Sequence, residues 1–204
     1  MTGDYASGIR GLSTTRGYFL RRVATSSYNG SMEKIRPAWA QKSALLCQYY
    51  DEEWGFPVTD STAIYERIVL EGFQSGLSWE TVLRKRPAFR QAFAQFNPNV
   101  VAAFTDEDVA RLLNNPDIIR NERKIRAAIT NAQATTALAA DGVGLAELVW
   151  SFAPEDSYGE GPDASYSAES VALARELKRR GFTFVGPVTM FALMQAIGIY
   201  DHRL

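Results

Sequence analysis

Cysteine is nearly missing from this chain of 204 residues: Cys47 stands alone. One thiol excludes an internal disulfide and any metal site built from several cysteines of one chain. It leaves the compartment open, with a reducing cytosol as the default. Long apolar runs are also missing, and no stretch approaches the roughly 18 residues that a membrane-spanning helix needs. A surplus of one charge is absent too, since 22 Lys and Arg face 23 Asp and Glu for a net charge of −1. Small nucleic-acid-binding domains are typically strongly basic, so such a role would have to rest on local patches. No segment shows a clear alternation of apolar and polar residues with period two, which leaves no strand signal. The expectation is an all-α protein, long enough for a real core.

The basic residues do cluster. Arg84, Lys85, Arg86 and Arg90 form one group, Arg120, Arg123, Lys124 and Arg126 a second, and Lys178, Arg179 and Arg180 a third. Each alone reads most simply as a solvated helix face. Residues 1–31 are unlike the rest: rich in Ser, Thr, Gly and Arg, with Asp4 as the single acid before Glu33. That is the profile of an organelle transit peptide. A start misassigned upstream of Met32, or plain disorder, is preferred, so the folded domain is expected over 32–204. The matching expectation for location is cytoplasmic, of bacterial type, with organelle targeting as the alternative.

The most informative stretch runs from Tyr49 to Trp79. Tyr49, Tyr50 and Trp54 lie on one side of a helical segment, and Trp79 on the other, with Trp39 upstream. Asp60 is placed to cap a helix from Ser61 to about Ser75. Its apolar face is Ile64, Tyr65, Ile68, Val69, Gly72 and Phe73. Glu71 falls at the edge of that face, roughly 100° from its centre. Periodicity leaves two readings of Glu71 open: a surface ion pair with Arg67 one turn back, or a carboxylate in a pocket. Large aromatic faces with one acid suit a flat, polar, cationic ring.

Beyond this stretch, Gly76 ends the helix and Ser78 caps the next. Pro87 is expected to break that run, while Phe89, Phe93 and Phe96 repeat at helical spacing as core. Val100–Phe104 and Thr105–Leu113 read as two short helices, the second capped by Thr105. Asn114–Asn121 is a polar turn around Ile118 and Ile119, followed by a helix carrying Lys124, Ile125, Ala128, Ile129 and Ala132. Helix, apolar-centred turn, helix is a helix-hairpin-helix pattern whose outward N–H groups suit a phosphate. A loop or insert from Pro154 to Ser167 and two helices, Ala168–Arg180 and Gly186–Ile197, complete the chain.

With these residues in view the chain resembles the 3-methyladenine DNA glycosylase I family. The resemblance runs from about Arg36 to His202. It is carried by Tyr49 with Asp51, Glu53-Trp54-Gly55, Leu70-Glu71-Gly72 and Gly76-Leu77-Ser78-Trp79. Ile118-Ile119-Arg120-Asn121 with Lys124-Ile125, Val149-Trp150-Ser151-Phe152, Arg180-Gly181-Phe182 and Phe184-Val185-Gly186 extend it. The resemblance implies a helix-hairpin-helix glycosylase fold with a lesion pocket between two helical lobes. It implies that Glu71 hydrogen-bonds an extruded base, that Tyr49 and Trp79 lie against it, and that Trp54 and Trp39 line the pocket. Leu77 beside Gly76 would wedge into the duplex, and Ile119, Arg120, Asn121 and Lys124 would hold the DNA backbone. The implied activity is hydrolytic excision of N3-methyladenine from alkylated double-stranded DNA. The enzyme would be monomeric and monofunctional, would leave an abasic site, and would use no cofactor.

The family also implies a structural zinc held by two cysteines and two histidines. This chain departs from that pattern: the first cysteine position is Pro37 and the first histidine position is Tyr50. His202 matches the second histidine, and the sequence stops before the last cysteine. One ligand of four is too few for zinc, so no metal is expected. The terminal clasp is expected to be replaced by packing of Tyr50 or to be lost. Leu46 is apolar where the family often has a further pocket tyrosine. Two other readings stand beside the enzyme: a weak or inactive zinc-less relative that only binds DNA, and a helical protein unrelated to DNA.

Overall fold

The computed structural model describes residues Ile35–Arg203, so the expectations for residues 1–31 lie outside the described residues. Arg36–Leu204 form one compact unit. Nine α-helices occur among the described residues, with no strand: α1 Ala44–Glu52, α2 Ser61–Gln74, α3 Trp79–Ala92, α4 Pro98–Val101, α5 Asp106–Leu113, α6 Glu122–Ala140, α7 Leu145–Trp150, α8 Ala168–Arg179 and α9 Pro187–Ala196. No described helix is long and apolar enough to cross a membrane.

Side-chain caps set the helix starts. Asp60 accepts from the Ala63 N–H at 2.8 Å, Ser78 from Thr81 at 3.2 Å, and Asn121 from Lys124 at 3.2 Å. Thr105 and Asp108 close a capping box at α5. Each cap satisfies an N–H that the helix itself leaves unpaired. Three details differ from the sequence reading. Pro87 does not break α3 but sits inside it. Phe89, fully buried a half-turn later, anchors the far end of the helix and so offsets the missing hydrogen bond. The short helix expected at Val100–Phe104 begins earlier, where Pro98 occupies the first helical turn and Asn97 caps it. The Ala- and Thr-rich residues after 132 extend α6 to Ala140.

The organising element is α2, which packs against α3, α6, α7 and α9. Its sequence offers one apolar face, yet Ile68 to Phe73 are all buried without a break, including Leu70 at 1 % and Glu71 at 6 % exposure. Neighbours therefore surround its C-terminal half. Tyr65 ties it to α6 by donating its hydroxyl to the Ala128 carbonyl at 2.9 Å. A second, smaller apolar cluster of Leu46, Tyr49 and Leu83 lies beside the main core, with Trp39, Trp54 and Trp79 packed on it. Trp79 also packs on the main core, so it joins the two.

The chain near Gly55 is stitched to the end of α9. The Gly55 N–H donates to the Ala196 carbonyl at 2.9 Å and that of Val58 to Ile197 at 3.2 Å. A Cβ on Gly198 would stand 2.7 Å from the Gly55 oxygen, so only glycine allows this approach.

Replacing Tyr65 with Phe removes the buried α2–α6 hydrogen bond. The expected cost is about 1 kcal/mol, read as a melting temperature lower by about 2–4 °C in a thermal scan.

Candidate base-binding site

Four helices and a 3-10 turn converge on a cavity of about 370 Å³, within the roughly 300–1,000 Å³ range of small-molecule sites. Trp39, Leu46, Tyr49, Trp54 and Trp79 give it apolar walls, and Glu71 lies among them. The sequence motifs 49–54, 71 and 79 thus meet at one place. Tyr49 and Trp79 touch, with ring centroids 5.5 Å apart at 52°. They are adjoining walls, so a flat ligand lies against them rather than between them. Trp39 packs edge-on to Trp54 at 5.5 Å, and Tyr50 stacks behind Trp54 at 5.5 Å.

Glu71 is not a surface partner of Arg67. Arg67 is drawn instead to Glu53, donating at 3.1 Å, and it reaches the Tyr49 hydroxyl at 3.4 Å. Arg86 donates to both Glu53 oxygens, one of them at 2.6 Å. Burial alone would push the Glu53 carboxyl up, but the Arg86 hydrogen bonds, with the charges of Arg86 and Arg67, hold it below its ordinary range. This triad commits both Arg67 and Arg86 to Glu53. Among the described residues the Glu71 carboxyl has no hydrogen-bond partner. Burial pushes it up to about 8, offset only in part by the distant Arg67 charge. A carboxyl in this state is short of a cation and of donors, and a positively charged ring bearing an amine supplies both. The Trp79 indole N–H is a further buried group without a partner among the described residues.

The other expected site residues are placed as follows. Gly76, with φ +80°, turns the chain between α2 and α3, and Leu77 is 41 % exposed at that turn. The flanking Gln74 and Ser78 line the cavity, so the turn that carries Leu77 borders it. In the turn before α6, Ile118 is buried and Ile119 packs on the core. Arg120 and Asn121 are exposed. Arg120 makes no ion pair among the described residues. Lys124 is turned elsewhere: its ammonium donates to the Phe73 and Ser75 carbonyls at 2.8 and 2.7 Å. It neutralises the C-terminal end of α2, and burial lowers its pKa.

Lys42, Gln74, Glu80 and Gln195 also line the cavity and were not anticipated. Gln74 is three residues after Glu71, so helical spacing alone would have found it. Lys42 follows Trp39 by three residues, across a 3-10 turn that the sequence did not announce, and Gln195 comes from α9 with no local signal.

The residues do not fit the structural zinc that the resemblance implies. Pro37 offers no donor atom. His202 is buried, with Nε2 facing the Tyr158 carbonyl at 2.7 Å and Nδ1 the Gln195 amide at 2.9 Å. Both nitrogens that could meet a metal are therefore engaged. Among the described residues no three His, Cys, Asp or Glu side chains cluster as metal ligands.

Fold and cavity together are those of an all-α DNA glycosylase. Comparison with known proteins narrows this further. A methyladenine glycosylase family model matches residues 39–204. DNA-3-methyladenine glycosylase 1 of Escherichia coli is 42 % identical over 175 residues, spanning 82 % of this chain and 92 % of that protein. A solved 3-methyladenine DNA glycosylase I superposes with a TM-score of 0.78 at 44 % identity, covering 82 % of this chain and 94 % of its own. Another, solved in complex with 3-methyladenine, gives a TM-score of 0.75 at 34 % identity, covering 82 % and 92 %. The chain belongs to the methyladenine glycosylase family.

The raised Glu71 pKa links stability to pH. The folded protein holds the proton more tightly than the unfolded chain, whose carboxyl titrates near about 4.3. Stability is therefore fullest below that value and falls as pH rises toward about 8. Glu71→Gln removes this loss. At pH 8 the variant should melt at least about 2–4 °C above the parent, an effect of about 1 kcal/mol or more. Below pH 4 this contribution should vanish, and paired melts across pH measure it.

Proposed function

We infer that the protein is a DNA-3-methyladenine glycosylase, which excises N3-methyladenine from alkylated DNA by hydrolysing its N-glycosidic bond. The observation that carries this reading is the buried, unpartnered Glu71 carboxyl in a cavity walled by Tyr49, Trp54 and Trp79. Membership of the methyladenine glycosylase family supports it, as does a relative solved with 3-methyladenine.

N3-methyladenine in DNA carries a positive charge on its ring. Its bond to the sugar is already weak, so no strong general acid is needed. The protein has to draw the base out of the stack, at a cost of a few kcal/mol. Contact with an aromatic face returns roughly 1–3 kcal/mol per base. As the cationic ring enters, its charge favours the ionised form of Glu71, which accepts a hydrogen bond from the exocyclic amine. Trp79 adds an aromatic face and an unpaired N–H. Water then attacks the sugar C1′: its oxygen bonds to C1′, the bond to the base breaks, and one proton goes to solvent. The base leaves neutral and an abasic site remains. Lys124 is not placed for Schiff-base chemistry, because its ammonium is held by two carbonyls.

The substrate is read as double-stranded DNA and the enzyme as a monomer. Leu77, in the turn that borders the cavity, suits the gap left by the extruded base. Arg120 and the exposed start of α6 suit backbone phosphates. Lys124 would serve that surface through the shape of the 73–76 turn, which its hydrogen bonds hold, rather than through its charge. The cytoplasmic reading rests on composition alone.

Incubation with methylated duplex DNA, followed by chromatography of the released bases, tests the activity. The parent should release free 3-methyladenine, and Glu71→Gln should lower the rate about ten- to hundredfold, as for a lost hydrogen bond to a charged group. Equal release by both would defeat the assignment of Glu71. Arg120→Ala should leave release at saturating DNA unchanged. It should weaken DNA binding and reduce the slope of log K against log salt by about 1.

A further inference from the structure

The last described residue, Arg203, performs a task that neither the reaction nor the family resemblance assigns. Its guanidinium lies between two aromatic rings, 4.7 Å from the centroid of Tyr50 and 4.2 Å from that of Phe56. From there one nitrogen donates to the Tyr50 carbonyl at 2.6 Å and also to the Trp54 carbonyl. Tyr50 is in the last turn of α1, where carbonyls lack helical partners and a cation is favourable. The stem of Arg203 passes directly over Gly55: a Cβ there would stand 2.7 Å from its Cγ and 3.0 Å from its Cδ. Arg203 therefore joins the C-terminal end of the described chain to the segment that carries the cavity wall.

The consequences reach the cavity through two residues. Trp54 lines it, and its own carbonyl is one of the two that Arg203 holds. Tyr50, which the guanidinium covers, stacks on the Trp54 ring. Tyr49, the next wall, precedes Tyr50 on α1. Planar guanidinium groups favour this combination of ring faces and fixed donors, which a lysine ammonium reproduces only in part. The neighbouring His202 cannot share the task, because both of its ring nitrogens are engaged with Gln195 and Tyr158.

We propose that Arg203 is a positioning residue for base recognition: an organic cation that clasps the end of α1 to the C-terminal segment and fixes Trp54 in the cavity wall. Arg203 does not touch the base. It acts through Tyr50 and Trp54, in place of a metal.

The activity arm of the test rests on the glycosylase reading, and the stability arm does not. Arg203→Met keeps the stem over Gly55 but removes the charge and the donors, and Arg203→Lys restores the charge and N–H donors without the planar guanidinium. The Met variant should melt about 4 °C or more below the parent, and its tryptophan emission should shift to longer wavelength as Trp54 loosens. Well below that melting temperature, it should bind free 3-methyladenine about tenfold more weakly by fluorescence titration. It should also raise KM for methylated DNA while kcat stays near the parent value. The Lys variant should recover part of each loss. Parent-like emission and affinity in Arg203→Met would overturn the proposal. So would stoichiometric zinc in the parent together with a lower melting temperature after dialysis against a chelator. If the parent itself neither binds the base nor releases it, the functional reading fails, while melting and emission still decide the clasp.

Discussion

A single carboxyl, largely buried and with no ion-pair partner among the described residues, governs this structure. Glu71 belongs to the central helix, and the same packing that makes α2 central strips solvent from its side chain. Burying an acid without a partner is unfavourable. A fold tolerates it when the missing partner arrives with a ligand, and aromatic walls around one acid suit a flat, cationic ring. On the proposed function, recognition comes from a deficit built into the free protein, which a cationic base makes good and a neutral base does not.

The nearby cations are placed so that this deficit persists. Arg67 is one helical turn from Glu71 and would quench it, yet Glu53 draws Arg67 away with the help of Arg86. Lys124 lies under the end of α2 and spends its charge on backbone carbonyls. Arg203 is committed to Tyr50, Phe56 and Trp54. Arg67, Lys124 and Arg203 each hold a piece of wall or turn, and none of them forms an ion pair with Glu71 among the described residues.

Family resemblance and local pattern reached far into the fold. Caps at Asp60, Ser78 and Thr105, the all-helical class and the helix before Gly76 were legible because they depend on short-range chemistry. Pro87 was misread, since a proline inside a helix is tolerated when packing beyond it is strong enough, and Phe89 supplies that packing. The cavity residues of the motifs were legible as well. Gln195 was not, because it reaches the cavity from α9, far along the chain. The task of Lys124 was also hidden, since its partners are carbonyls about fifty positions earlier in the chain.

What the sequence determined by itself was the set of parts: helices with their starts, three tryptophans and a tyrosine around one acid, and Pro37 and Tyr50 where the resemblance implies zinc ligands. What only the tertiary structure decided was the state of those parts. On a helical wheel Glu71 has equal claim to solvent and to a pocket, and Arg203 is an ordinary basic residue. Burial, which depends on what other helices bring to a surface, turned the first into a raised carboxyl, and the rings and carbonyls of the 50–56 segment made the second a clasp. Local spacing fixes which way a side chain leaves its helix, but the medium it enters is set by residues far along the chain.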